Sequence, residues 1–99
     1  MSKRADILVA NELPVFSRRL REARLRLGIS QANLGIAAKI DESSSSARIN
    51  QYEKGKHYPD YNTAERIAEV LKVPTPYLFA KEDEMAEWIL QFSKNTVIN

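Results

Sequence analysis

Residues 28–59, GISQANLGIAAKIDESSSSARINQYEKGKHYP, decide the fold. Ser30 is a good helix N-cap, and the spacing predicts a helix from Gln31 to about Lys39 with Leu34 and Ala38 facing inward. Asp41 through Ser46 is polar and helix-averse, because Ser and Asp side chains compete for backbone groups. This loop should end by capping a second helix, Ser46 to about Lys54, which Gly55 closes. Two helices cross closely only where their contact residues are small, and Gly35 and Ala38 supply that on the first helix. In the second, Ile49 and Tyr52 are three apart and share the inward face, which turns Ser46, Ala47, Asn50 and Gln51 outward.

Helical spacing continues on both sides. Upstream, Pro14 suits a first helical turn, where its missing N–H costs nothing. Phe16, Leu20, Ala23 and Leu27 form one stripe ending at Gly28, and Arg18, Arg19, Arg21, Arg24 and Arg26 decorate the same segment. Downstream, Asp60 caps a helix carrying Ala64, Ile67, Ala68 and Leu71, and Val73-Pro74 stops it. Thr75-Pro76 opens a short fifth helix that should place Leu78 and Phe79 inward. Glu82-Asp83-Glu84 offers negative charge to the positive end of a sixth, whose stripe is Met85, Trp88, Ile89 and Phe92. No stretch alternates apolar and polar residues as a strand would, so the class is all-α. The expected organisation is an N-terminal arm over 1–12 with scope for disorder, a helical domain over 13–80, and a C-terminal helix over 81–99.

Composition excludes several functions. The 99 residues allow one domain. With no Cys and one His there is no disulfide, thiolate nucleophile or zinc ribbon. The apolar run Ile7-Leu8-Val9-Ala10 is too short for a secretory signal, and no run approaches a membrane span, so a cytoplasmic protein without a membrane partner is expected. No P-loop, glycine-rich phosphate cradle or metal-ligand spacing is present, and consecutive acids such as Glu82-Asp83-Glu84 diverge around a helix. The expectation is no enzyme, no catalytic residue, no cofactor and no metal. The net charge of +2 divides unevenly: residues 1–58 carry eleven Lys and Arg against six Asp and Glu, and residues 59–99 carry four against seven. The N-terminal part suits a polyanion.

Gly28-Ile29-Ser30-Gln31, Leu34-Gly35, Ala38, Ile49, Tyr52-Glu53-Lys54-Gly55-Lys56 and Pro59, in that order, resemble the signature of the Cro/CI-type (XRE, lambda-repressor-like) helix-turn-helix family over roughly residues 13–80. The resemblance implies a compact five-helix DNA-binding domain, here with an additional C-terminal helix. Two departures stand out. The family usually has Gly after the position matching Ala38, where φ is positive, and this chain has Lys39. Gln31 to Tyr52 also spans 21 positions, about four more than the family pattern, an insert that falls in Asp41–Ser45 between the two helices.

By resemblance, Ser46, Ala47 and Gln51 are base-contact positions, joined by the outward-facing Asn50; a Gln amide can pair bidentately with adenine. Ser30 and Gln31 stand at a helix N-terminus that favours phosphate, and Arg48, Lys54, Lys56 and His57 are further phosphate candidates. The family also implies an ion pair between Arg24 and Glu53 and a homodimer on a two-fold site in double-stranded DNA. The stripe of the sixth helix is core or interface; as interface it assigns Leu78, Met85, Trp88, Ile89 and Phe92 to dimerisation. The function expected is a sequence-specific transcriptional regulator that represses through the major groove. The alternative is an antitoxin-like protein-interaction module whose C-terminal segment binds a partner protein.

Overall fold

A computed structural model describes residues 13–96, and the expected arm over 1–12 lies outside them. Among the described residues five α-helices follow one another: α1 Val15–Leu27, α2 Gln31–Ala37, α3 Ser45–Glu53, α4 Tyr61–Leu71 and α5 Asp83–Thr96. A 3-10 turn, Glu42–Ser44, links α2 to α3, and a 3-10 helix, Thr75–Phe79, links α4 to α5. No strand occurs among the described residues. The expected fifth helix is this 3-10 segment, started by Pro74 and Pro76 and too short for α geometry.

The helix ends are set by local chemistry. Ser30 Oγ accepts the Asn33 N–H at 3.0 Å, and Asp60 Oδ1 accepts that of Thr63 at 2.8 Å. Hydrogen bonds from Thr63 hold the Asp60 carboxyl below its ordinary pKa of 3.8. Gly28 closes α1 at φ 80°, with its N–H returning to Arg24 and Leu25 carbonyls.

Phe16, Leu20 and Ala23 of α1 meet Leu34 and Ala38, Ile49 and Tyr52, Ile67 and Leu71, and Tyr77 and Leu78 in one core. Each aliphatic side chain so buried stabilises the fold by about 1.5–3 kcal/mol relative to exposure. Three expectations change. Leu27, at the last turn of α1, is exposed, and buried Ser17 and Arg19 widen the inward stripe instead. Phe79 is 52% exposed, its ring tilted 34° against that of Phe16 with centroids 5.4 Å apart. On α5 the inward residues are Ala86, Ile89 and Leu90, while Met85, Trp88 and Phe92 face outward.

Arg19 connects the two ends of the molecule. It is buried, donating from Nε to the Ala80 carbonyl at 3.0 Å and from Nη2 to Lys81 O at 3.3 Å and Asp83 Oδ1 at 3.0 Å. These carbonyls sit in the segment entering α5, so α1 fixes where the last helix begins.

Candidate nucleic-acid interface

The α2–α3 pair is the most closely packed pair of elements, and Gly35 is the reason. A Cβ there would lie 2.6 Å from Ser45 Cβ and 3.0 Å from Ser45 backbone atoms, so only a hydrogen permits the crossing. Ser45 is enclosed, its Oγ donating to the Ala32 carbonyl at 3.1 Å. It therefore opens α3, and the insert reduces to Asp41–Ser44, folded as an exposed turn in which Ser43 Oγ donates to the Asp41 carboxylate.

Beneath this crossing runs a polar lock. Arg24 Nε donates to Glu53 Oε2 at 2.5 Å and its Nη2 to Oε1 at 3.2 Å, a bidentate pair with both side chains largely enclosed. The guanidinium also holds the Ile29 carbonyl at 3.1 Å, just ahead of α2. Gln31 Nε2 donates to Glu53 Oε1 at 3.1 Å and to Asn50 Oδ1 at 3.2 Å. One carboxylate thus ties the end of α1 and the start of α2 to the end of α3, holding α3 against both.

What this leaves outward is an edge. Ser46, Ala47 and Arg48 are exposed, and Asn50 and Gln51 are half-buried. With Gln31, Ala32, Ile36, Glu42 and Ser43, the first turns of α3 border an open groove between α2 and α3, so the insert flanks the edge rather than roofing it. Asn50 is engaged through Oδ1, which leaves its NH2 group free to face the groove; Gln31, expected at phosphate, directs its own NH2 inward. Ser30 uses a lone pair as a cap and keeps its O–H.

Beyond α3, Lys54, Lys56 and His57 are exposed. Gly55 between them takes φ 72°, and a Cβ there would lie 2.8 Å from Pro14 Cδ, so the basic turn is seated on the start of α1. Arg48, Lys54, Lys56 and His57 therefore border the α3 edge with no acidic partner within ion-pair distance among the described residues.

A helix-turn-helix domain family matches residues 17–84. The chain belongs to this helix-turn-helix family. The crystal structure of the transcriptional regulator BswR is similar to it, with a TM-score of 0.71 and 45% sequence identity over 82% of this chain and 87% of that one. No curated protein matches the chain.

In helix-turn-helix terms, Lys39 keeps the left-handed turn despite its side chain: its φ is 68°, with its N–H bonded to Ile36 O at 3.0 Å. Such a conformation costs a non-glycine residue about 1–2 kcal/mol. Leu78, expected at a dimer contact, is fully enclosed within the protomer and is removed from that surface; Ile89 packs partly against the core.

The sequence reading missed three arginines. Besides Arg19, Arg66 Nε donates to the Ala38 carbonyl at 2.8 Å, holding the end of α2, and Arg26 Nη2 donates to the Tyr77 hydroxyl at 3.1 Å. On α1, Arg19 and Arg24 are thus turned inward, while Arg21 and Arg26 stay exposed. A signal existed for Arg19 alone: it lies three residues after Phe16 and four before Ala23, on the buried stripe. Among the described residues no helix is long and apolar enough to cross a membrane.

Proposed function

We propose that this protein is a sequence-specific, DNA-binding transcriptional regulator acting in the cytoplasm, and that it represses by occluding a two-fold operator. The observation that carries the reading is the exposed start of α3, rimmed by Arg48, Lys54, Lys56 and His57, on a helix held from behind by Arg24 and Glu53. The likeness to a transcriptional regulator over most of both chains supports the same reading.

In the proposed docking, α3 enters the major groove. Ser46, Ala47, Gln51 and the free NH2 of Asn50 meet base edges. Arg48, Lys54, Lys56, His57 and the start of α2 (Ser30 and Gln31) meet phosphates. Base edges in that groove present a distinct donor and acceptor pattern for each pair, which short polar side chains on a rigid helix can read. Selection of bound sequences from a random duplex pool tests this: a palindromic consensus is expected, and recovery of no consensus contradicts it. On the selected duplex, Gln51→Ala should weaken binding by about 1–3 kcal/mol and relax one base position. Lys56→Ala should weaken all sequences alike and lower the salt slope by about 1.

The exposed apolar face of α5 favours a second reading, an antitoxin-like module that covers a partner protein. A small basic protein co-purifying in fixed ratio would support it.

A further inference from the structure

The insert Asp41–Ser44 carries two acids, and the fold puts them to different uses. The Asp41 carboxylate accepts the Ser43 hydroxyl, and its carbonyl accepts the Ser44 N–H at 3.0 Å, so Asp41 closes the turn. The Glu42 carbonyl is occupied too, receiving the Ser45 N–H at the start of α3. The Glu42 side chain is exposed, and neither a hydrogen bond nor an ion pair holds it among the described residues.

That free carboxylate lies at the site. Glu42 borders the open groove between α2 and α3 together with Gln31, Ser46, Ala47 and Asn50, and of the residues lining this groove it alone is ionisable. The cations of the site, Arg48, Lys54, Lys56 and His57, lie outside this groove's lining. A lone carboxylate on a surface that meets a polyanion weakens binding to every duplex, unless one particular group on the duplex answers it.

We infer that Glu42 is a base-reading residue added to the site by the insert, and that its partner is the exocyclic amino group of a cytosine. The inference rests on the DNA reading above and concerns what the insert contributes to it. A carboxylate can only accept hydrogen bonds. In the major groove cytosine offers its N4 amino donor, guanine two acceptors, thymine an acceptor and a methyl group, and adenine a donor beside an acceptor. Cytosine therefore matches Glu42 and adenine half-matches it. Guanine and thymine set lone pair against lone pair and leave a desolvated charge unanswered.

The position of the base follows from the chain. Helix-turn-helix proteins read bases with the N-terminal residues of the second helix. Glu42 precedes Ser46 by a single 3-10 turn, so its carboxylate extends the reading edge beyond the N-terminal end of α3. It should read one base pair at the border of the half-site, next to those met by Ser46 and Ala47. Asp41 is no second reader, because Ser43 occupies its carboxylate. The gain is in specificity: Glu42 lowers affinity for duplex in general and lowers it least where the cytosine is present.

Selection from a random duplex pool, run in parallel on the wild-type chain, Glu42→Ala and Glu42→Gln, tests this. The wild-type consensus should contain one cytosine position that the Glu42→Ala consensus lacks, with all other positions the same. Glu42→Gln should turn that position toward adenine, because a Gln amide pairs with adenine N6 and N7. In titrations of labelled duplex, replacing that C·G pair by T·A should weaken wild-type binding about ten- to hundredfold and Glu42→Ala binding by less than about twofold. Glu42→Ala should also bind a random duplex more tightly than wild type does. Both variants should unfold at the wild-type urea concentration, since the side chain is exposed and unpartnered.

A Glu42→Ala consensus identical to that of wild type overturns the inference. If affinity for every duplex then rises alike, Glu42 is a source of repulsion and reads nothing. Loss of several positions at once also overturns it, since Glu42 would then support the turn, as does a Glu42→Gln protein that gains nothing for adenine. The two readings fail separately. A wild-type chain that recovers no consensus removes the regulator and this inference with it, whereas a wild-type consensus untouched by Glu42→Ala removes this inference alone.

Discussion

The crossing of α2 and α3 and the outer face of α5 are opposite solutions to the shortage of interior in a small domain. At the crossing, contact is made with the smallest residues available, Gly35 against Ser45, and each buried polar atom of the Arg24–Glu53–Gln31 group has a partner. On α5, the largest residues are kept outside and the smaller apolar ones, Ala86, Ile89 and Leu90, turn inward. The first region is specified by what fits within it, and the second by what is left over. The region that positions a functional edge is therefore intolerant of change, and the region offering a contact surface is tolerant within its own protomer.

The contrast can be broken most forcefully at Glu53. Glu53→Ala leaves the enclosed Arg24 guanidinium unpaired and releases Gln31, so it should cost about 3–5 kcal/mol in urea unfolding. A cost below about 1 kcal/mol would mean that the lock is ornamental. Gly35→Val comes next. The added Cβ meets the backbone of α3 as well as a side chain, so the helices must part at a cost of about 1–3 kcal/mol. Loss of duplex binding should exceed what that instability explains, because the angle of α3 changes too.

Lys39→Gly acts in the other direction. It relieves a left-handed lysine and should raise stability by about 1 kcal/mol without altering duplex affinity. An effect of the opposite sign would show that the greater chain freedom of glycine outweighs the strain. The smallest effect is expected at the other pole of the comparison: Trp88→Glu should change monomer stability by no more than about 0.5 kcal/mol, read by thermal unfolding in dilute solution. A loss comparable to that of Gly35→Val would make α5 an integral part of the core rather than a platform.

How much of this was legible in the sequence follows the same divide. The stripe of α4, that of α1 as far as Ala23, and the inward Ile49 and Tyr52 are local periodicities, and they occur as spaced; Leu27, at the end of the α1 stripe, does not. Small residues at the crossing were readable because only they allow it. The Arg24–Glu53 pair entered through the family resemblance; no spacing between residues twenty-nine apart discloses it. The orientation of α5 could not be read, because both of its sides are apolar and the sequence period fits either one facing the core. The arginine partners were hidden for a related reason. Arg19 and Arg66 bond to main-chain carbonyls, and a carbonyl carries no side-chain signature.

The insert taught most. Asp41–Ser44 lengthens the turn but closes into a single 3-10 turn of its own, so Gly35 still meets Ser45 and Lys39 still takes the left-handed conformation. Length was visible in the sequence, and its harmless folding was not.

The central claim is that the outer edge of α3 enters a duplex. Backbone amide chemical-shift mapping of the labelled protein, titrated with a selected duplex at moderate salt, tests it most directly. The account predicts the largest shifts at residues 46–51, with further shifts at 30–31 and 54–57. Shifts confined to α5, with residues 46–51 unmoved at saturation, would contradict it.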